Sequence, residues 1–139
     1  MTVSAHYTAY EQDTEGCADL QLMTVQDIMA CGLLTTHFQP LGRLHDGEVF
    51  GHEALVRGPK GHALAAPDAL FAAAREQGVH FDLEVHCVKL ALMNWARQGM
   101  QGRLLVNLSA SSLAALMAHP VAHGILGLIK DHRIATARL

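Results

Sequence analysis

A chain of 139 residues has room for one domain around a single core, and with half of its residues hydrophobic and 17% charged it is globular, which excludes a disordered tail. A net charge of −3, a pI near 6.3 and scattered Lys and Arg leave no footprint for a phosphate backbone, so a nucleic-acid reader is excluded on electrostatic grounds. No stretch approaches the roughly 18 apolar residues of a membrane span. The opening Met1–Tyr7 has no basic start followed by an apolar run, so no signal peptide is expected. The three cysteines leave one unpaired and form no C-x-x-C, a pattern suited to a reducing compartment. A soluble, cytoplasmic protein without membrane contact is therefore expected.

Residues 1–18 are polar and aperiodic and predict a mobile leader. The apolar spacing of Leu20, Met23, Val25, Ile28 and Cys31 predicts a helix over Asp19–Cys31, stopped by Gly32. Residues 1–34 thus form a leader and helix ahead of the remaining 35–139. A first strand is predicted over Thr35–Leu41, with Pro40 marking an edge or a bulge. The turn His45-Asp46-Gly47-Glu48 carries a hairpin signal in its Asp-Gly step and leads into an antiparallel strand over Val49–Arg57.

Pro67 and Asp68 open a helix that runs through Gln77. A longer helix over Phe81–Gln98 carries the stripe Phe81, Val85, Val88, Leu92 and Trp95, which assigns Trp95 to the core. Asp82 and Glu84 near its start complement the helix dipole. Arg103–Ser109 is a nearly continuous apolar run, as in a parallel strand covered on both faces. Ser111 or Ser112 can cap the next helix, which ends near His119, and a last helical segment spans Val121–Lys130. A hairpin followed by helix, strand, helix defines an α/β fold with a parallel sheet of about three strands.

Two places could carry chemistry. On the second strand, alternation puts Glu53, Leu55 and Arg57 on one face. An acid and a base there are either an ion pair on a wet sheet or a metal ligand and a phosphate clamp. Asn107 is an amide in an otherwise apolar strand and must find a partner or cost a few kcal/mol. It is either a satisfied strand-end amide or, beside Glu53 on a neighbouring strand, a second oxygen ligand for a hard divalent cation.

His37-Phe38-Gln39-Pro40, Gly51-His52-Glu53-Ala54-Leu55-Val56-Arg57-Gly58 and Val106-Asn107-Leu108-Ser109 occur in the order and spacing of the EAL domain family, and the sequence resembles the amino-terminal half of such a domain. The Pro67-Asp68-Ala69-Leu70-Phe71 helix and the Trp95 helix fit the same pattern. The resemblance implies the first part of a (β/α)8 TIM-type barrel whose first strand is antiparallel. It also implies Mg2+- or Mn2+-dependent hydrolysis of cyclic-di-GMP to the linear dinucleotide. Carried over, Glu53 becomes a catalytic metal ligand and Asn107 a second ligand, while Gln39, Leu55 and Arg57 line the substrate. The acidic ligands, the lysine and the glutamate that the family places on later strands have no counterpart in these residues. A non-catalytic cyclic-di-GMP-binding or interaction module is the alternative, with self-association or a partner domain completing the barrel.

Overall fold

The computed structural model describes residues 19–131. The leader expected over residues 1–18 lies outside them. The helix expected over Asp19–Cys31 is broken in two: a 3-10 turn at Leu20–Leu22, then α1 at Val25–Ala30. Thr24 explains the break. Its hydroxyl accepts the Asp27 N–H at 3.2 Å, while the Asp27 carboxylate accepts the Thr24 N–H at 2.9 Å. This reciprocal capping box starts a new helix at Val25 whatever precedes it. Gly32, with φ of 65°, ends α1 as expected.

Strand β1 (Thr35–Gly42) and strand β2 (Val49–Arg57) pair antiparallel, with Gln39 opposite Glu53 and Thr35 opposite Arg57. Their connection is longer than a two-residue hairpin. Arg43 donates its N–H to the Glu48 carbonyl and accepts that of Gly47, each at 2.8 Å. Gly47 takes φ of 72°, and the Asp46 carboxylate accepts the Glu48 N–H at 3.0 Å. These are the backbone conformation and side-chain contact for which Gly and Asp are favoured in turns. Strand β3 (Arg103–Val106) joins β2 in parallel, giving the order β1-β2-β3. Pro40 lies on β1, at an edge of this sheet, where its missing N–H costs least.

Helices α2 (Pro67–Glu76), α3 (His80–Arg97), α4 (Ala110–Ala118) and α5 (Val121–Asp131) complete the described residues. The stripe on α3 is the spine of the core. Val85, Val88, Leu92 and Trp95 are buried together with Leu104 of β3 and Ile125 and Ile129 of α5. The Trp95 ring meets Phe38 and His52 edge-on, at centroid distances of 5.5 and 5.6 Å. A second cluster joins α1, α2, the start of α3 and the end of β2 through Val25, Ile28, Val56, Leu70, Ala74 and Leu83.

Phe38, Ala54, Val56, Leu104 and Val106 therefore share the helix-packed face of the sheet. Strand alternation puts Gln39, Glu53 and Leu105 on the other face, and Leu105 is 39% exposed. The strand expected over Arg103–Ser109 is shorter than its apolar run: ladder pairing stops at Ala54–Val106, and Asn107–Ser109 leave the sheet. Coverage on both faces is not found within these residues. An antiparallel first strand followed by parallel β2 and β3, with helices on one side, is the opening of the expected barrel.

Candidate functional site

Asn107 is the first residue beyond β3, and its amide Nδ2 donates to Glu53 Oε1 at 2.8 Å. The two sequence candidates, 54 residues apart, are thus in direct contact on the open face. Glu53 is not at the carboxyl end of its own strand, since β2 runs on to Arg57 by pairing with β1. It does lie one pair before the end of the β2–β3 ladder, and that ladder end is where Asn107 emerges. Glu53, Leu104, Leu105, Val106 and Asn107 line an open cleft of about 310 Å3.

The donor set can be tested against a hard cation. Donation from Nδ2 leaves the Asn107 carbonyl oxygen and the second Glu53 oxygen as acceptors, and hard divalent cations take oxygen ligands of these two kinds. Among the described residues no group of three or more His, Cys, Asp or Glu is placed to hold a metal. The pair fits Mg2+ or Mn2+ in kind and supplies only part of a coordination shell.

The substrate candidates are placed around this pair. Gln39 faces Glu53 across the β1–β2 ladder and is exposed. Leu55 and Arg57 follow Glu53 on the same face of β2, both half-buried. The Arg57 guanidinium folds back and donates Nη1 to the Val56 carbonyl at 2.8 Å, so it does not pair with Glu53. The ion-pair alternative for these two residues is therefore not what the structure shows. Behind Arg57, Gly58 is buried, donates its N–H to the Ala65 carbonyl at 3.0 Å, and approaches so closely that a Cβ there would run into the Leu64 carbonyl oxygen. Only glycine fits this packing, and the tight turn fixes where the Arg57 side chain begins. A mainly apolar cavity of about 80 Å3 lies between the sheet and α2–α3, against Phe71, Val88 and Ala91, and reaches the site at Leu55, Arg57 and Asn107. Its walls are apolar on the helix side, and its polar groups, Arg57 and Asn107, are those of the candidate site. The Cys87 thiol on its wall is pushed up to about 12 by burial, with Glu84 adding to the shift.

Sequence reasoning missed one residue. Glu84, taken as a dipole complement, is only 6% exposed. Its carboxylate accepts the Ser109 N–H at 3.1 Å and the Ser109 hydroxyl at 2.8 Å. The Ser109 oxygen in turn accepts the Ser112 N–H at 3.2 Å, so Ser109 caps α4, in place of the expected Ser111 or Ser112. Burial pushes the Glu84 carboxyl up, but the hydroxyls of Ser112 and Ser109, the Ser109 N–H and nearby His80 outweigh it and hold it below its ordinary 4.5. A depressed folded-state value stabilises the fold above 4.5, and that contribution is lost as pH falls through the depressed value. Wild type should therefore exceed Glu84→Gln in urea midpoint at neutral pH, and the gap should close on acidification below 4.5. A gap independent of pH would contradict this.

The first strand antiparallel to the second, the second and third parallel, and helices behind the sheet define the opening segment of a barrel-type α/β domain. The EAL domain model matches residues 24–139, and the chain belongs to that family. The Xanthomonas citri FimX EAL domain, solved in complex with c-diGMP, is similar with a TM-score of 0.67 and 18% identity, over 83% of this chain and 45% of that one. The Pseudomonas aeruginosa FimX EAL domain bound to c-di-GMP gives 0.59 and 24%, over 80% and 44%. A standalone EAL protein from Vibrio cholerae O395, also c-di-GMP-bound, gives 0.56 and 18%, over 76% and 42%. The chain thus spans under half the length of these solved relatives. No curated protein matches it significantly.

Proposed function

We propose that these residues form the first part of the active site of a cyclic-di-GMP phosphodiesterase. The Glu53–Asn107 contact carries the reading, because it brings a carboxylate and a side-chain amide together on the open face of a domain in this family. In this reading Glu53 and Asn107 hold Mg2+ or Mn2+, which when bound lowers the pKa of a water and offsets charge on the phosphate. Arg57 swings from the Val56 carbonyl to a phosphate, to which a guanidinium can donate two parallel hydrogen bonds. Gln39 offers an amide to the nucleotide's polar edge, and Leu55 packs against its apolar surface. A cytoplasmic setting follows from a cytoplasmic dinucleotide. Among the described residues no single helix is long and apolar enough to cross a membrane, and the apolar α4–α5 pair is bent by 90°.

Mg2+ gives up water reluctantly, so two protein donors bind it weakly, and the 139-residue chain alone should turn over cyclic-di-GMP slowly or not at all. The second reading, a binding or interaction module, is favoured by β3, which among the described residues is paired on one side only. Such an open edge can recruit a second copy or a partner domain. Calorimetric titration with cyclic-di-GMP, with and without Mn2+, decides between them, with product formation followed in parallel. Binding strengthened by Mn2+ supports the phosphodiesterase site. Binding indifferent to metal and without turnover supports a receptor, and no binding supports an interaction module. A rate equal to that of an intact domain would refute the expectation of low activity.

A further inference from the structure

We propose that Glu84 is a positioning residue: its buried carboxylate anchors the segment after β3 and thereby aims the Asn107 amide at Glu53. The inference rests on the reading of Glu53 and Asn107 as the cation pair. Three observations support it.

Sheet pairing does not fix Asn107, because the β2–β3 ladder ends at Val106. The next tie is two residues on, where Glu84 takes both the N–H and the hydroxyl of Ser109. Asn107 is therefore held between the ladder on one side and a two-point clamp on the other. A carboxylate is almost never buried without partners, and this one has them: besides Ser109, the Ser112 hydroxyl reaches it and His80 Nε2 lies 3.4 Å from its Oε1. Finally, capping α4 does not require Glu84, since the Ser109 hydroxyl already accepts the Ser112 N–H. The carboxylate adds a second layer that fixes the cap itself to α3. Losing a partner bonded directly to a ligand typically costs about 10- to 100-fold in metal affinity; Glu84 acts one step further out, through Ser109, so its loss should cost less.

The test uses the 15N-labelled chain and two variants, Glu84→Gln and Ser109→Ala, with Ile129→Val as a core variant remote from the clamp. Ile129 is buried against α3 and β3, so its truncation lowers stability without touching Glu84. The readouts are the side-chain NH2 resonance of Asn107 without metal and the Mn2+ dissociation constant from calorimetry. The Asn107 resonance should move toward that of a mobile amide in Glu84→Gln and Ser109→Ala, with Mn2+ weakened measurably but by less than in Glu53→Ala, and neither should change in Ile129→Val. An unmoved resonance in both clamp variants, or an equal shift in Ile129→Val, would overturn the proposal. Should Glu84→Gln fail to fold, an unmoved resonance in Ser109→Ala still overturns the proposal. If the wild-type chain binds no Mn2+, the cation reading fails, and the metal-free resonance still decides the positioning role.

Discussion

Glu53→Ala should weaken Mn2+ binding at least tenfold while leaving the fold intact. The candidate pair contains one formal charge, on Glu53, and its partner Asn107 offers only a neutral carbonyl oxygen. A carboxylate about 2.2 Å from a divalent cation contributes about 4 kcal/mol even at the dielectric of water, and partial desolvation offsets some of it. A loss of about 1.4 kcal/mol already means tenfold. Glu53 lies on the open face, away from the Trp95 cluster, so its removal leaves the core as it is. Glu53→Gln separates charge from geometry, because an amide oxygen can still accept from Asn107 Nδ2. Both variants should lose Mn2+ heat in calorimetry and keep the wild-type circular dichroism spectrum. Full retention of affinity in Glu53→Gln would mean that the carboxylate is not a ligand.

The largest effect on stability is expected from Trp95→Ala, a loss of about 3–5 kcal/mol. Trp95 is 2% exposed and touches the sheet through the Phe38 and His52 rings. Removing it opens a cavity where α3 and the sheet's inner face meet. Small domains hold only about 5–15 kcal/mol in total, so the variant should be largely or partly unfolded at room temperature. Trp95 is the only tryptophan, so urea unfolding must be followed by circular dichroism and not by fluorescence. A midpoint within error of wild type would show that the α3 stripe is not the spine of the core.

Much of this was legible in the sequence because local chemistry and long-range packing agree there. Strand β2 keeps its expected ends, Val49 and Arg57, since turn residues bound it on both sides. Trp95 falls on a stripe that has one face to bury, and it is buried. The family, read from three ordered motifs, is the family matched over residues 24–139. Three features were hidden for physical reasons. The capping box of Thr24 and Asp27 overrides an apolar spacing that continues across it. The run Arg103–Ser109 looks uniform, but where pairing stops depends on β2, a non-local partner. Glu84 shows nothing special in its own helix, because its burial is compensated by Ser109, 25 residues away. The chain does carry a signal for it: Ser109 and Ser112 stand three apart just after Asn107, a spacing that caps a helix and places a hydroxyl toward α3.

Substoichiometric Mn2+ added to the 15N-labelled chain tests the shared-cation claim most directly, since paramagnetic broadening marks the residues nearest the ion. The Asn107 side-chain amide and the backbone N–H groups of Glu53 and Leu105 should broaden first, with the Glu53→Ala chain unaffected at the same residues. The competing site for a cation is the exposed acid pair of the β1–β2 turn, Asp46 and Glu48, which the Arg43 guanidinium partly neutralises. Broadening that begins at Asp46 and Glu48 while Asn107 stays sharp would contradict the account.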